Sequence, residues 1–171
     1  MKLEKTYRIL SAILMPIIFI LAFFGMLFLM AAFSNPAFLF AAFVLICVTI
    51  YMVKSTQFYR RNIEPGIPAK ANVRDWIRVN GFVAIFFVLQ IIASAVYLLA
   101  MKKQVMANFQ VLLNQIEDMQ PGAASSYSPE ALYASMKNIM IFFMIFDVLL
   151  AAHIVCTFKL LKKYRDLLLQ P

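Results

Sequence analysis

The sequence predicts an all-α integral membrane protein: a four-transmembrane-helix bundle, N-in and C-in, with a helical hairpin extension between helices 3 and 4 on the outer side. Three observations predict it. Of 171 residues, 64% are hydrophobic and 14% charged, whereas soluble domains sit near about half and about a quarter. The apolar residues gather in four runs near the ~20 residues that cross a bilayer. The basic residues alternate between connections, as a topology signal does. One membrane domain is expected over 1–171.

The first span is expected at 9–33, 25 residues behind Lys2, Lys5 and Arg8. That exceeds the roughly 7–15 of a secretory signal core, so it reads as a retained span rather than a leader. Pro16 should kink it, and Gly25 permits close helix approach. Ser34-Asn35-Pro36 is an uncharged turn into the second span, 37–53, which is short at 17 residues. In lipid each span must be helical, because every backbone N–H and C=O needs an internal partner.

The connection 54–78 carries Lys54, Arg60, Arg61, Lys70, Arg74 and Arg78. Pro65-Gly66-Ile67-Pro68 marks a stiff turn. Asn72 with Asp75 resembles a capping box, which places the third helix start near Val73 and Trp76 at headgroup level. The third span is expected at 79–101.

The segment 102–137 begins with an amphipathic pattern. Met106, Phe109, Leu113 and Ile116 recur at helical spacing and form a candidate contact face, with Gln104, Asn108, Gln110 and Asn114 opposite. Pro121-Gly122 ends that helix, and Ser128-Pro129-Glu130 supplies a cap, a first-turn proline and an early acid for the next. The result is either a projecting hairpin or a helix flat on the bilayer surface. The fourth span follows at 138–158. The tail 159–171 sets Leu161, Tyr164 and Leu168 on one face, and its Lys159, Lys162, Lys163 and Arg165 join Trp76 as interface anchors.

Charge sets the orientation. The N-terminus, the 54–78 loop and the tail hold 13 of 16 basic residues, which assigns them to the cytoplasmic side of a cell (plasma or inner) membrane. The net charge of +8 is therefore a topology charge, suited to anionic headgroups and not to nucleic acid.

Polar residues inside the spans are the candidate sites, because burying them is expensive. Asp147 is the one acid within a span. Asp147 lies 12 residues from Lys159 and Gln90 lies 12 from Arg78, so both sit about 18 Å deep at ~1.5 Å per residue. Ser94 and Tyr97 follow Gln90 on much the same face. Asp147 either binds a proton or cation, or stays neutral and donates to Gln90 as interhelical glue. His153, Cys47, Thr49 and Asn80 form a second layer at matched depth. Cys47 and Cys156 form no C-x-x-C, and one histidine excludes a multi-His metal site within this chain.

No catalytic residue, metal site or cofactor is expected. The leading expectation is a non-catalytic accessory, assembly or scaffold subunit with a protein partner or a second copy of itself. One alternative is a small oligomeric transporter or channel using Asp147 and Gln90. Another is a membrane redox or metal protein using Cys47, Cys156 or His153. Motifs of known four-span families are missing: no Cys-Cys-Gly of tetraspanins, no C-x-x-C of vitamin K epoxide reductase-like proteins, and no first-span glutamate of small multidrug resistance transporters.

Overall fold

The computed structural model describes residues 2–70, 72–123 and 127–168. Among them are five α-helices and no strand: α1 (Lys2–Ala31), α2 (Phe38–Phe58), α3 (Val73–Ala100), α4 (Lys102–Met119) and α5 (Pro129–Lys163). Four of the helical segments are long and apolar enough to cross a membrane: α1, α2 with its continuation to Ile63, α3 and α5. The chain falls into two compact units, 1–88 with 148–171, and 89–147.

The first unit holds α1, α2, the first part of α3 and the second part of α5. Helix α1 starts seven residues before the expected apolar boundary and continues through Pro16. Its turn into α2 is closed by Asn35, whose Oδ1 accepts from Ala37 N at 3.0 Å. Gly25 brings the two helices together: a Cβ there would lie 3.3 Å from Leu45 Cβ. The rings of Phe28 and Phe38 stack near the turn, 5.7 Å apart.

The helix that contains the short second span is longer than the apolar run 37–53. Helix α2 runs on to Phe58 and then through a π-helical turn, Tyr59–Ile63. Falling hydropathy does not end a helix. A breaker does, and the first one is Pro65-Gly66, where Gly66 takes φ +68°. The extension is kept because Ser55, Thr56, Phe58, Tyr59 and Ile63 are all buried. Asn62 then donates to the carbonyls of Ile67 (3.2 Å) and Pro68 (3.1 Å), which shapes the turn.

Helix α3 begins at Val73, as expected. Gly81 is a close-packing point, since a Cβ there would meet the Phe158 ring at 3.2 Å and the Tyr51 ring at 3.4 Å. Helix α5 stays helical beyond its apolar run to Lys163 and ends in a 3-10 turn, Arg165–Leu168. Leu161 and Leu168 are buried, and Ala69 N donates to Leu167 O at 2.8 Å, tying the basic loop to the tail. Residues 169–171 of the expected tail lie outside the described residues.

The second unit holds the rest of α3, all of α4 and the first part of α5. Met101 alone separates α3 from α4. Val105 and Leu113 turn inward and are buried. Glu117 Oε1 accepts from Gly122 N at 2.7 Å, and Gly122 takes φ +87° to end α4. Ser128 Oγ caps α5 by accepting from Ala131 N at 3.1 Å. Residues 124–126 of the expected hairpin turn lie outside the described residues. Tyr133 on α5 donates to Leu98 O at 3.3 Å, and the Lys102 ammonium lies 5.4 Å from the Tyr133 ring centre.

Candidate functional site

The densest polar cluster is inside the first unit, centred on His153, which is 0% exposed. Ser11 from α1 reaches its Nε2 at 3.0 Å, and Tyr51 from α2 reaches its Nδ1 at 3.0 Å. Tyr51 also donates to Thr157 Oγ1 at 2.8 Å. Thr157, one turn beyond His153 on α5, donates to the His153 carbonyl at 2.8 Å. The Tyr7 ring packs on the imidazole with centroids 4.6 Å apart.

Counting hydroxyl protons assigns the tautomer. Thr157 has one proton, and its 2.8 Å contact to the carbonyl takes it in preference to the 3.5 Å contact to Nδ1. Tyr51 has given its proton to Thr157, so Tyr51 Oη accepts from Nδ1–H. That leaves Nε2 with its lone pair, and the Ser11 hydroxyl donates to it. The chain of bonds is directional and ties α1, α2 and α5 through one neutral imidazole. A hydroxyl against an imidazole at this distance is also the geometry of a nucleophile–base pair. The sequence hid it because Ser11 and His153 are 142 positions apart.

Beside this cluster, Tyr7, Arg8, Ser11, Thr56, Arg60 and Glu64 line a cavity of about 430 Å³. Arg8 and Glu64 approach to 3.8 Å there.

The expected second layer does not assemble. Thr49 donates to its own helix at Leu45 O (2.8 Å), and Asn80 donates to Trp76 O (2.8 Å). Both ring nitrogens of His153 are taken by hydroxyls, while Cys47 is buried and both cysteines are free thiols. Among the described residues, no three His, Cys, Asp or Glu side chains converge as a metal site. The sequence pattern of any one helix does not single out Ser11, Tyr51 or Thr157. Their signal was hydroxyl residues near the charged boundary on three different helices.

In the second unit, Asp147 is 1% exposed, and neither carboxylate oxygen has a hydrogen-bond partner among the described residues. The expected bond to Gln90 does not form: Gln90 lies at an exposed position on α3. Ser94 donates to Gln90 O at 2.9 Å, and Tyr97 is exposed. Gln90, Ser94 and Tyr97 do converge elsewhere, on a groove of about 480 Å³ shared with Asn108 and Phe109 of α4 and Met140 of α5. Of the expected contact face, Leu113 is buried and Met106, Phe109 and Ile116 are half-buried; outside that face, Val111, Leu112 and Met119 of the same helix are exposed.

Among the expected anchors, Trp76, Lys159, Lys162 and Arg165 are exposed. Lys163 instead donates to Glu4, which also accepts from Tyr164 at 3.0 Å. Comparison with protein-family models, with curated proteins and with solved structures finds no match.

Proposed function

We propose that the chain is a non-catalytic, multi-pass subunit of a cell membrane, with both termini cytoplasmic, that works by holding a partner helix against its second unit. The observation that carries this reading is the side chain of Gln90. It lies about 18 Å beyond Arg78 along α3, in an otherwise largely apolar groove, and makes no hydrogen bond among the described residues. An amide at that depth in lipid is unfavourable unless another helix supplies its partner. Asn108, on the same groove, receives only a 3.3 Å bond from Gln104 of its own helix. The His153 cluster fits this role as the clamp that keeps the first unit rigid, since its bonds join three helices.

Purification in mild detergent tests it. A stoichiometric membrane partner or a second copy is expected, lost with Gln90→Leu plus Phe109→Ala and partly kept with Gln90→Asn. A solitary particle in the wild type overturns the proposal.

One observation favours a second reading, a small transporter or channel. Both Asp147 oxygens are buried without hydrogen-bond partners among the described residues, and an intramembrane acid is a functional group by default. In proteoliposomes, Asp147→Asn would abolish a pH-dependent flux on that reading. Absence of wild-type flux, with Asp147→Leu lowering only stability, sinks it.

A further inference from the structure

A second cavity of about 660 Å³ lies in the first unit, walled by the start of α3 and the end of α5. Arg74, Arg78 and Phe82 are spaced four apart and so share one face of α3. Phe158, Leu161, Lys162 and Arg165 form the facing wall. Four cations meet at one bowl. Arg74 is already engaged by Asp75 at 3.2 Å. Arg78, Lys162 and Arg165 have no ion pair among the described residues. Three like charges on one concavity raise the local positive potential, which favours an anion there.

The chemistry of that anion follows from the lining. Guanidinium groups bind phosphate oxygens with paired hydrogen bonds, and an ammonium adds a point charge. The rest of the wall is apolar, with the Phe82 and Phe158 rings 6.0 Å apart and Leu161 buried. An inorganic phosphate has no use for that surface, but an acyl chain has. The bowl also lies where charge gives way to hydrocarbon, because the α3 apolar run opens at Val79 and the α5 run closes at Phe158. Trp76, between the two arginines in sequence, is exposed at that level.

We infer that this bowl is a specific site for the phosphodiester headgroup of an anionic phospholipid, with Phe82 and Phe158 receiving the first part of an acyl chain. The inference rests on the membrane-embedded reading above and goes beyond it, since general attraction of a basic surface to lipid needs no cavity. The lipid is held where the start of α3 and the end of α5 face each other.

Native mass spectrometry of the full chain, purified with phosphatidylglycerol and phosphatidylcholine present, tests it. One phosphatidylglycerol should persist on the wild type and phosphatidylcholine should not. Each cation removed should weaken retention about fivefold, and Arg78→Gln, Lys162→Gln and Arg165→Gln together on the order of a hundredfold. Lys54→Gln, Arg60→Gln and Arg61→Gln remove the same charge outside the bowl and should leave retention unchanged. If that control set weakens retention equally, the binding is diffuse and the site is refuted. If excess inorganic phosphate displaces the lipid, a free-phosphate site replaces the lipid site. Should the triple variant not fold, the single exposed Lys162→Glu decides, and wild-type retention there overturns the inference. Resistance of the chain to alkaline extraction from membranes is measured separately. Its loss sinks the membrane reading, whatever the lipid result.

Discussion

Tyr51→Phe removes one oxygen from a residue that is 0% exposed and leaves the ring in place. The oxygen holds two bonds, to His153 Nδ1 at 3.0 Å and to Thr157 Oγ1 at 2.8 Å. Without it the Nδ1–H loses its acceptor, and Thr157 loses a donor while keeping its own bond to the His153 carbonyl. A stranded buried donor costs about 1–3 kcal/mol. Hydrogen bonds between helices in membranes average about 0.6 and reach about 1.7 kcal/mol, because the unfolded chain also finds partners. The expected loss is therefore about 1–2 kcal/mol. Ser11→Ala strands only the Nε2 lone pair, an acceptor, and should cost about 0.5–1 kcal/mol. The two effects should not add, since both act through one imidazole. Thr49→Val is the control: its hydroxyl bonds only to its own helix, so a change within about 0.5 kcal/mol is expected. Reversible unfolding in mixed micelles of mild detergent and dodecyl sulfate reads all four variants. If Ser11→Ala costs more than Tyr51→Phe, the assigned tautomer is wrong. If the double variant is strictly additive, the coupled chain is refuted.

Gly81→Ala should destabilise by about 1–3 kcal/mol in the same assay, because the new methyl meets the Phe158 and Tyr51 rings at 3.2 and 3.4 Å; an unchanged midpoint would show that those rings yield freely. The Glu4–Lys163 contact, outside the apolar runs, makes a pH prediction. Lys163 holds the Glu4 carboxyl well below its ordinary 4.5, and Glu4 raises the Lys163 ammonium above its ordinary 10.5. The lowered carboxyl stabilises the fold above 4.5 and loses this as pH falls through its folded value. The raised ammonium stabilises below 10.5 and loses this as pH rises through its folded value. Amide exchange at 3–8 and 160–167 should thus show constant protection near neutrality, weakened at both extremes, and Glu4→Gln should flatten that profile. Ser128→Ala should fray the first turn of α5 by about 1 kcal/mol, seen as faster exchange at Ala131; unchanged exchange there would discount the cap.

The candidate site is only half legible in the sequence. Residue position along a helix translates into distance along its axis, which is how the sequence singles out His153, Gln90 and Asp147 as polar groups within apolar runs; of these the structure buries His153 and Asp147 and leaves Gln90 exposed. Depth says nothing of rotation. Gln90 and Asp147 are equally far along their helices from Arg78 and Lys159, yet Asp147 is buried with no hydrogen-bond partner among the described residues and Gln90 lies on the groove. Position along the helix pairs His153 with Cys47, but α2 presents Tyr51 to it instead. The directional chain from Ser11 to Thr157 depends on the rotational phase of three helices at once, and no periodicity in one helix carries that.

What the sequence determined by itself is therefore local. Apolar run length sets which segments are helical and long enough to span, and short-range chemistry sets where several of them start or turn: Val73, Pro65-Gly66, Pro121-Gly122 and Ser128-Pro129. The tertiary structure decided the rest. It extended α2 past Val53 to Ile63, because packing there buries Thr56, Phe58 and Tyr59 beyond the apolar run. It also brought Arg78 and Arg165 to one cavity and Ser11 to His153. Hydropathy is a property of one helix, while packing phase and side-chain pairing are properties of several, and the pairing of polar groups belongs to the second kind.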